Sequence, residues 1–238
     1  MRSIRDQLGP LEGGLYLLSR GLGGLTGDRA RLIRYYLFWQ PTPQAELTPP
    51  GRKGRFEVRP IGRGDPALEQ MPRPAEVLER RLSSGDRCLG AFRGEELAGF
   101  LWYAEEAYRE DEARCTYRLP DGGEAVWDYD VYVDPARRLS PVFAQLWDEA
   151  AARFRRAGVR GSFSRISAFN TASLASQYRL GGRKLGSVTF LALGRLQLAL
   201  SSYRPHLHLS LSREPIFRLA LPESEEEGTP AVEQRNGS

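Results

Sequence analysis

Residues 127–133 (Trp-Asp-Tyr-Asp-Val-Tyr-Val) alternate with a period of two, as a strand with one buried face does. The alternation sends Trp127, Tyr129, Val131 and Val133 to one side and Asp128, Asp130 and Tyr132 to the other, so one face is expected to be core and the other to look into a cleft. Downstream the period lengthens. Val142, Phe143, Leu146, Trp147, Ala150 and Phe154 recur at helical spacing as far as Gly158, behind Ser140 as N-cap and Pro141 as the first helical residue. Residues 161–169 read as a second strand, and Asn170 caps a helix over 171–180 that Gly181 and Gly182 stop. A strand end and a fresh helix N-terminus aimed at one spot leave unpaired N–H groups that can hold an anionic cofactor.

Around this segment the same patterns predict strands over 56–59, 88–92 and 97–103, the last two joined as an antiparallel hairpin through Arg93-Gly94-Glu95-Glu96. Helical material is expected at 66–71 and 74–82, a solvated acidic stretch at 104–112, and a strand at 114–119 that turns at Asp121-Gly122-Gly123. Residues 184–193 and 195–201 close the sheet around Gly194. The fold class is α/β (α+β): a mixed, mostly antiparallel sheet of about seven strands flanked by helices. Beyond it, 207–211 and 216–221 are expected to pair with each other as an appended hairpin.

Residues 1–54 read as a separate prelude, with a helix over 28–39 followed by a linker carrying Pro41, Pro43, Pro49 and Pro50. That helix mixes arginines with aromatics, so it packs on its own domain or a dimer mate, or else lies on an anionic membrane surface. The expected division is 1–54 extension, 55–203 domain, 204–221 hairpin and 222–238 acidic, disordered tail.

Composition narrows the class. Charged residues at 27% and hydrophobic ones at 41% are ordinary for a soluble globular protein. The net charge of +4 is spread over scattered arginines, which does not point to nucleic acid. Cys88 and Cys115 form neither a disulfide framework nor a metal-like pair, and His206 with His208 falls short of a metal site, so no metal is expected. With no secretion signal and no stretch of about 20 apolar residues, a cytoplasmic protein without a transmembrane segment is expected.

The order of elements over 55–201, with Val131-Tyr132-Val133-Asp134-Pro135, Arg138 and the helix after it, and Asn170 through Gly181, resembles the GNAT N-acyltransferase family. The resemblance implies acetyl-CoA or another acyl-CoA as co-substrate, its pantetheine arm lying between two splayed strands and hydrogen-bonded to the backbone of Val131, Tyr132 and Val133. It also implies a pyrophosphate loop of Arg or Gln, two residues, Gly, one residue, then Gly or Ala. Here the loop reads Arg138-Leu139-Ser140-Pro141-Val142-Phe143. Pro141 offers no N–H and Phe143 adds bulk where backbone should approach phosphate. Arg138 and the Ser140 hydroxyl remain able to bind phosphate, and a plain helix start explains them equally. Asn170 belongs to the family's helix and is also explained as a cap. The family often places a tyrosine seven residues after that asparagine to protonate the leaving thiolate; Gln177 stands there, with Tyr178 about 100° further around the helix.

For an amine attacking a thioester, the available bases are Asp128 and Asp130, and the backbone N–H near Tyr132 is the oxyanion donor. Either carboxylate is also readable as a solvated residue or an anchor for a substrate ammonium. The acidic cleft face suits a cationic small-molecule amine. Two alternatives remain: a GNAT-like binding or regulatory module that has lost CoA, and a transferase whose donor is acyl carrier protein docked on Arg137, Arg138, Arg153, Arg155 and Arg156.

Overall fold

A computed structural model describes residues 10–27 and 29–223. Helix α1 (Pro10–Thr26) precedes strand β1 (Ala30–Pro41), and a loop leads to β2 (Glu57–Ile61), a 3-10 turn (Pro66–Gln70) and α2 (Ala75–Ser83). Strands β3 (Arg87–Arg93), β4 (Glu96–Ala104), β5 (Ala107–Arg109), β6 (Thr116–Arg118) and β7 (Ala125–Val133) follow. Next come α3 (Val142–Arg156), β8 (Gly161–Ser167), α4 (Thr171–Arg179), β9 (Arg183–Leu193), β10 (Leu196–Ser201), β11 (Leu207–Ser210) and β12 (Ile216–Arg218). Nine strands form one sheet in the order β11-β10-β9-β1-β8-β7-β4-β3-β2, and β12-β6-β5 form a second, small sheet. In the large sheet every neighbouring pair is antiparallel except β7 and β8.

The small sheet and α2 cover one face of the large sheet. Trp127, Phe163, Tyr117 and Phe217 fill the first contact, and Leu78, Trp102 and Phe100 fill the second. Helix α3 covers the other face through Val142, Leu146, Ala150 and Phe154. Helices α1 and α4 lie against β1 on that same side, where Ser19 Oγ donates to Leu32 O at 2.9 Å and the Tyr178 ring stands edge-on to Phe38 at 5.3 Å.

The largest departure from expectation is the helix expected over 28–39: residue 28 lies outside the described residues, and 30–39 are not helical. Residues 30–41 are a strand inserted between β8 and β9, in the middle of the sheet. A strand covered on both faces reads as a continuous apolar run rather than an alternating one, and Tyr, Phe, Trp and Ile favour it. With Leu37 and Phe38 wholly buried, this segment offers no face to a membrane. The prelude is therefore integral to the domain. The helix of this region is α1, which holds five glycines and is supported by tertiary contacts: Tyr36 donates to Glu12, and Tyr16 meets Phe169 edge-on at 5.6 Å.

The appended hairpin is also corrected. Strand β11 pairs with β10 at the edge of the large sheet, whereas β12 runs parallel to β6 in the small one. The sheet accordingly has nine strands where about seven were expected. Nor is 104–112 simply solvated, because Glu110 is buried in an ion pair with Arg165. The expected tail falls largely outside the described residues. Among the described residues no helix is long and apolar enough to cross a membrane.

Candidate active site

The site begins with a three-rung ladder. Strands β7 and β8 pair in parallel at Ala125/Gly161, Val126/Ser162 and Trp127/Phe163, and there the pairing stops. Both strands continue: β7 stays paired to β4 as far as Val133, and β8 stays paired to β1 as far as Ser167. The inner edges of residues 128–133 and 164–167 therefore part into a wedge, with backbone groups of Val131, Tyr132 and Val133 along one wall.

A β-bulge sharpens the parting. Phe100 pairs with Tyr132 and Trp102 with Tyr129, so two residues of β7 oppose Leu101 alone, and Asp130 takes φ +46°. Asp is among the few non-glycine side chains that tolerate this conformation. The extra residue reverses the alternation beyond it. Asp128 pairs with Tyr103 on the α3 side, and Val131 and Val133 pack there too. Tyr129 and Tyr132 lie with the α2 cluster, and Asp130 meets Arg73 and Arg81 on that side. The expectation that Asp128 and Asp130 share a cleft face is thus overturned.

Their chemistry diverges accordingly. Arg73 grips both carboxylate oxygens of Asp130, with Nε at 2.9 Å, and Arg81 Nη1 reaches Oδ2 at 2.5 Å. Burial pushes the Asp130 carboxyl up, but these bonds outweigh it and leave the group below the usual carboxylate range. So held, Asp130 is a poor base. Asp128, the first residue past the last β7–β8 rung, sits at the vertex of the wedge with its Oδ2 buried and unpartnered among the described residues. Burial pushes its carboxyl up to about 6, with the nearby Ser162 hydroxyl acting in the opposite direction. A carboxyl poised there can exchange a proton near neutral pH.

At the open end of the wedge, β7 leads to the N-terminus of α3. The helix starts at Val142, later than expected; Pro141 is its N-cap with no side-chain bond, and Ser140 Oγ donates to Arg137 O at 2.6 Å instead of capping. A cavity of about 590 Å³ lies at this corner, lined by Arg55, Arg93 and Arg137 with Phe56, Leu139, Ser140 and Pro141, and no carboxylate lines it. Arg137 leans on Glu96 at 2.5 Å. Arg138 is exposed and does not line the cavity. The Phe143 ring turns toward Trp147, at 6.3 Å, and is not among the cavity's lining residues.

Asn170 Oδ1 accepts from Ser173 N at 3.0 Å, the cap expected of it, and Gly181 follows α4 at φ +80°. Tyr178 is 53% exposed and leans on Phe38 of β1, across β8 from the wedge. The residues that sequence reasoning missed are Arg73, Arg81 and the Arg165–Glu110 pair near the wedge, and Arg55 and Arg93 in the cavity by the N-terminus of α3. The carboxylate partners of Arg73, Arg81 and Arg165 lie tens of residues away, so no local pattern announces them.

The only parallel pair of the large sheet opens after three rungs, and the next helix starts at its open end. The fold is GNAT-like. No protein-family model matches the sequence, and no curated protein does. Among solved structures the GNAT-like chain is similar to a protein described as a GNAT-family acetyltransferase from Novosphingobium aromaticivorans (16% identity, TM-score 0.46, covering 67% of this chain and 63% of that one). It is also similar to a tandem GNAT protein of the clavulanic acid biosynthesis pathway (14% identity, TM-score 0.45, covering 74% and 58%). A third is AAC(6')-Iy in complex with a CoA-containing bisubstrate analogue (21% identity, TM-score 0.39, covering 53% and 89%). The chain spans less than two-thirds of the length of the first two.

Proposed function

We propose that this GNAT-like protein is an N-acyltransferase that moves an acetyl or other acyl group from acyl-CoA directly to the amine of a small molecule. The observation that carries the reading is the wedge between β7 and β8, the only parallel pair of the large sheet, whose pairing stops after three rungs; a cavity lined by arginines adjoins the N-terminus of the helix that follows β7. A pantetheine arm fits a slot walled by free strand edges, where the backbone of Val131, Tyr132 and Val133 offers it hydrogen bonds. The pyrophosphate and its attached phosphate fit Arg55 and Arg93, with Arg137 held beside them by Glu96. Because Pro141 removes an amide from the phosphate loop, Arg55, Arg93 and Arg137 supply the charge, with Arg138 and Ser140 at the rim.

In this reading Asp128 takes the proton from the attacking amine, and the backbone N–H near Tyr132 steadies the oxyanion. Tyr178, turned to Phe38 across β8 from the wedge, does not reach the thiolate in this arrangement, so a water is the proton donor in this reading, and Asn170 fixes the start of the Tyr178 helix. Asp130 becomes the clamp that aims Arg73 and Arg81 at the acceptor side. There a cleft of about 810 Å³ is lined by seven arginines and four carboxylates. That balance favours an acceptor amine that also carries an anionic group over the purely cationic amine that an acidic cleft face suits.

Titration with CoA tests the proposal, since a ligand that binds only the folded state raises its melting temperature. A rise that Arg93→Ala shifts to roughly tenfold higher CoA, the worth of one charge-assisted hydrogen bond, is expected. An unchanged melting temperature at millimolar CoA would instead favour the binding or regulatory module, the reading that Pro141 supports. The carrier-protein reading loses ground on geometry. Arg137 and Arg138 lie at one end of α3 and Arg153, Arg155 and Arg156 at the other, about 20 Å away. Glu149 engages Arg153 and Arg156.

A further inference from the structure

Near the tip of the β9–β10 hairpin, Arg31 of β1, Ala192 of β9, Gln197 of β10 and Ser210 of β11 lie side by side in one row across the sheet. Gln197 is buried and pins the segment between β5 and β6 to this row, accepting from Arg114 N at 2.9 Å and donating to Arg114 O at 2.7 Å. The short side chain of Ala192 leaves the row open beside Arg31. Arg31, Ala192, Gln197, Arg114 and the turn residue Arg195 all line the cleft of about 810 Å³.

Arg31, Arg114 and Arg195 are the cations that the carboxylates of this cleft leave over. Glu110 is taken by Arg165, Asp111 by Arg80 and Arg81, and Glu214 by Arg109 and Thr116, while Glu112 accepts from the Tyr35 hydroxyl. Arg31 reaches the carbonyl of Glu112 at 3.4 Å and no carboxylate among the described residues. Arg114 donates to the carbonyls of Leu211 at 2.6 Å, Arg195 at 2.5 Å and Ser210 at 3.1 Å. Those three bonds fix its guanidinium and leave two of its five N–H donors for a ligand. Arg195 stands exposed at the turn and enters no ion pair among the described residues.

The cleft adjoins a smaller chamber of about 280 Å³ at the wedge vertex, which residues 127–130 and Arg165 help to line; the two share Arg73, Arg81, Asp111 and Glu112. The charge of the two differs. In the small chamber three arginines face four carboxylates, so no surplus positive charge repels an ammonium there. We infer that the acceptor is a phosphate monoester of an amine, its amino end in the small chamber and its phosphate on Arg31, Arg114 and Arg195. The amino end of this assignment rests on the acyltransferase reading. A phosphate monoester brings close to two negative charges and three strong acceptor oxygens at neutral pH, a match for three guanidinium groups. A carboxylate, with one charge and two oxygens, satisfies fewer of them.

The test is initial rates with acetyl-CoA on ω-aminoalkyl phosphates of increasing chain length, beside the matching amino alcohols and ω-amino acids. At the best length, kcat/KM for the phosphate is expected to exceed that for the alcohol about 100-fold and that for the amino acid about tenfold, the worth of two charge-assisted bonds and of one. Arg31→Ala/Arg195→Ala should cut the phosphate-to-alcohol ratio about tenfold or more, and Arg31→Lys/Arg195→Lys should restore part of it. If the double variant fails to fold, Arg195→Ala alone, at an exposed turn, should still lower the ratio. Amines acetylated without regard to the phosphate, a preference for the carboxylate, or a ratio indifferent to the arginine variants overturns the inference and leaves the acyltransferase reading standing. Melting temperature measured without acyl-CoA separates the opposite case. A rise with the aminoalkyl phosphate that the double variant loses upholds the phosphate site even where no amine is acetylated, and then the acyltransferase reading alone falls. No rise and no turnover overturns both.

Discussion

The two halves of β7 make an instructive pair. Its first three residues are buried and laddered to β8, Trp127 to β4 as well. Its last six are laddered on one side only, bulged at Asp130 and half-buried. Two aspartates flank this change, and although only Tyr129 separates them they meet opposite fates. Asp128 is taken out of water without a cation and holds its proton more tightly. Asp130 is taken out of water between two guanidinium groups and gives its proton up more easily. Residue type does not set the chemistry; the bulge does, by deciding which face each carboxylate joins.

The strongest way to break the contrast is Asp130→Ala. It leaves Arg81, whose side chain is only 8% exposed, with Asp111 at 3.5 Å alone and Arg73 with no carboxylate in ion-pair distance among the described residues, and removing one partner of a buried pair costs about 3–5 kcal/mol. Urea unfolding at neutral pH should show the loss. A variant as stable as the wild type would mean that the clamp contributes nothing.

Asp128→Asn should act in the opposite direction and only above a certain pH. With a folded-state pKa raised to about 6, Asp128 is neutral in both states below about pH 4 and costs nothing there. As pH rises from about 4 to 6 the unfolded chain ionises first, so the native state loses stability progressively, and above 6 the deficit is constant. The Asn variant is therefore expected to match the wild type at pH 4 and to exceed it by up to about 3 kcal/mol at pH 8. If Asp128 is the base, the same change lowers turnover, and the wild-type kcat/KM falls below pH about 6. Equal stability curves at all pH values would show that the carboxyl is not buried as described.

A smaller effect comes from Gly99→Ala on β4. A Cβ there meets Tyr132 O at 2.6 Å and Val142 Cγ1 at 2.7 Å, so β7 and α3 must both yield. Overpacking of this kind costs about 1–3 kcal/mol. Because it moves the outer half of β7, it should also weaken CoA binding, while a variant altered only in stability would show that the wedge wall is compliant.

Sequence signals were enough wherever the physics is local. Asn170 and Gly181 bound α4 because a cap and a positive-φ stop are written in neighbouring residues. Gly94 and Gly194 mark their hairpins for the same reason, and the body of α3 follows from its apolar stripe. Tertiary structure decided the rest. Residues 30–41 became a central strand because β8 and β9 were there to bury both of its faces, and an apolar run alone does not distinguish that from a helix. The side taken by Asp128 and Asp130 depended on one inserted residue in a ladder, since a register shift of one exchanges the faces of everything beyond it. Arg73, Arg81 and Arg165 found their carboxylates 57, 49 and 55 residues away in the chain. Charge pairs at such separations leave no periodicity to read, and only the folded chain brings them together.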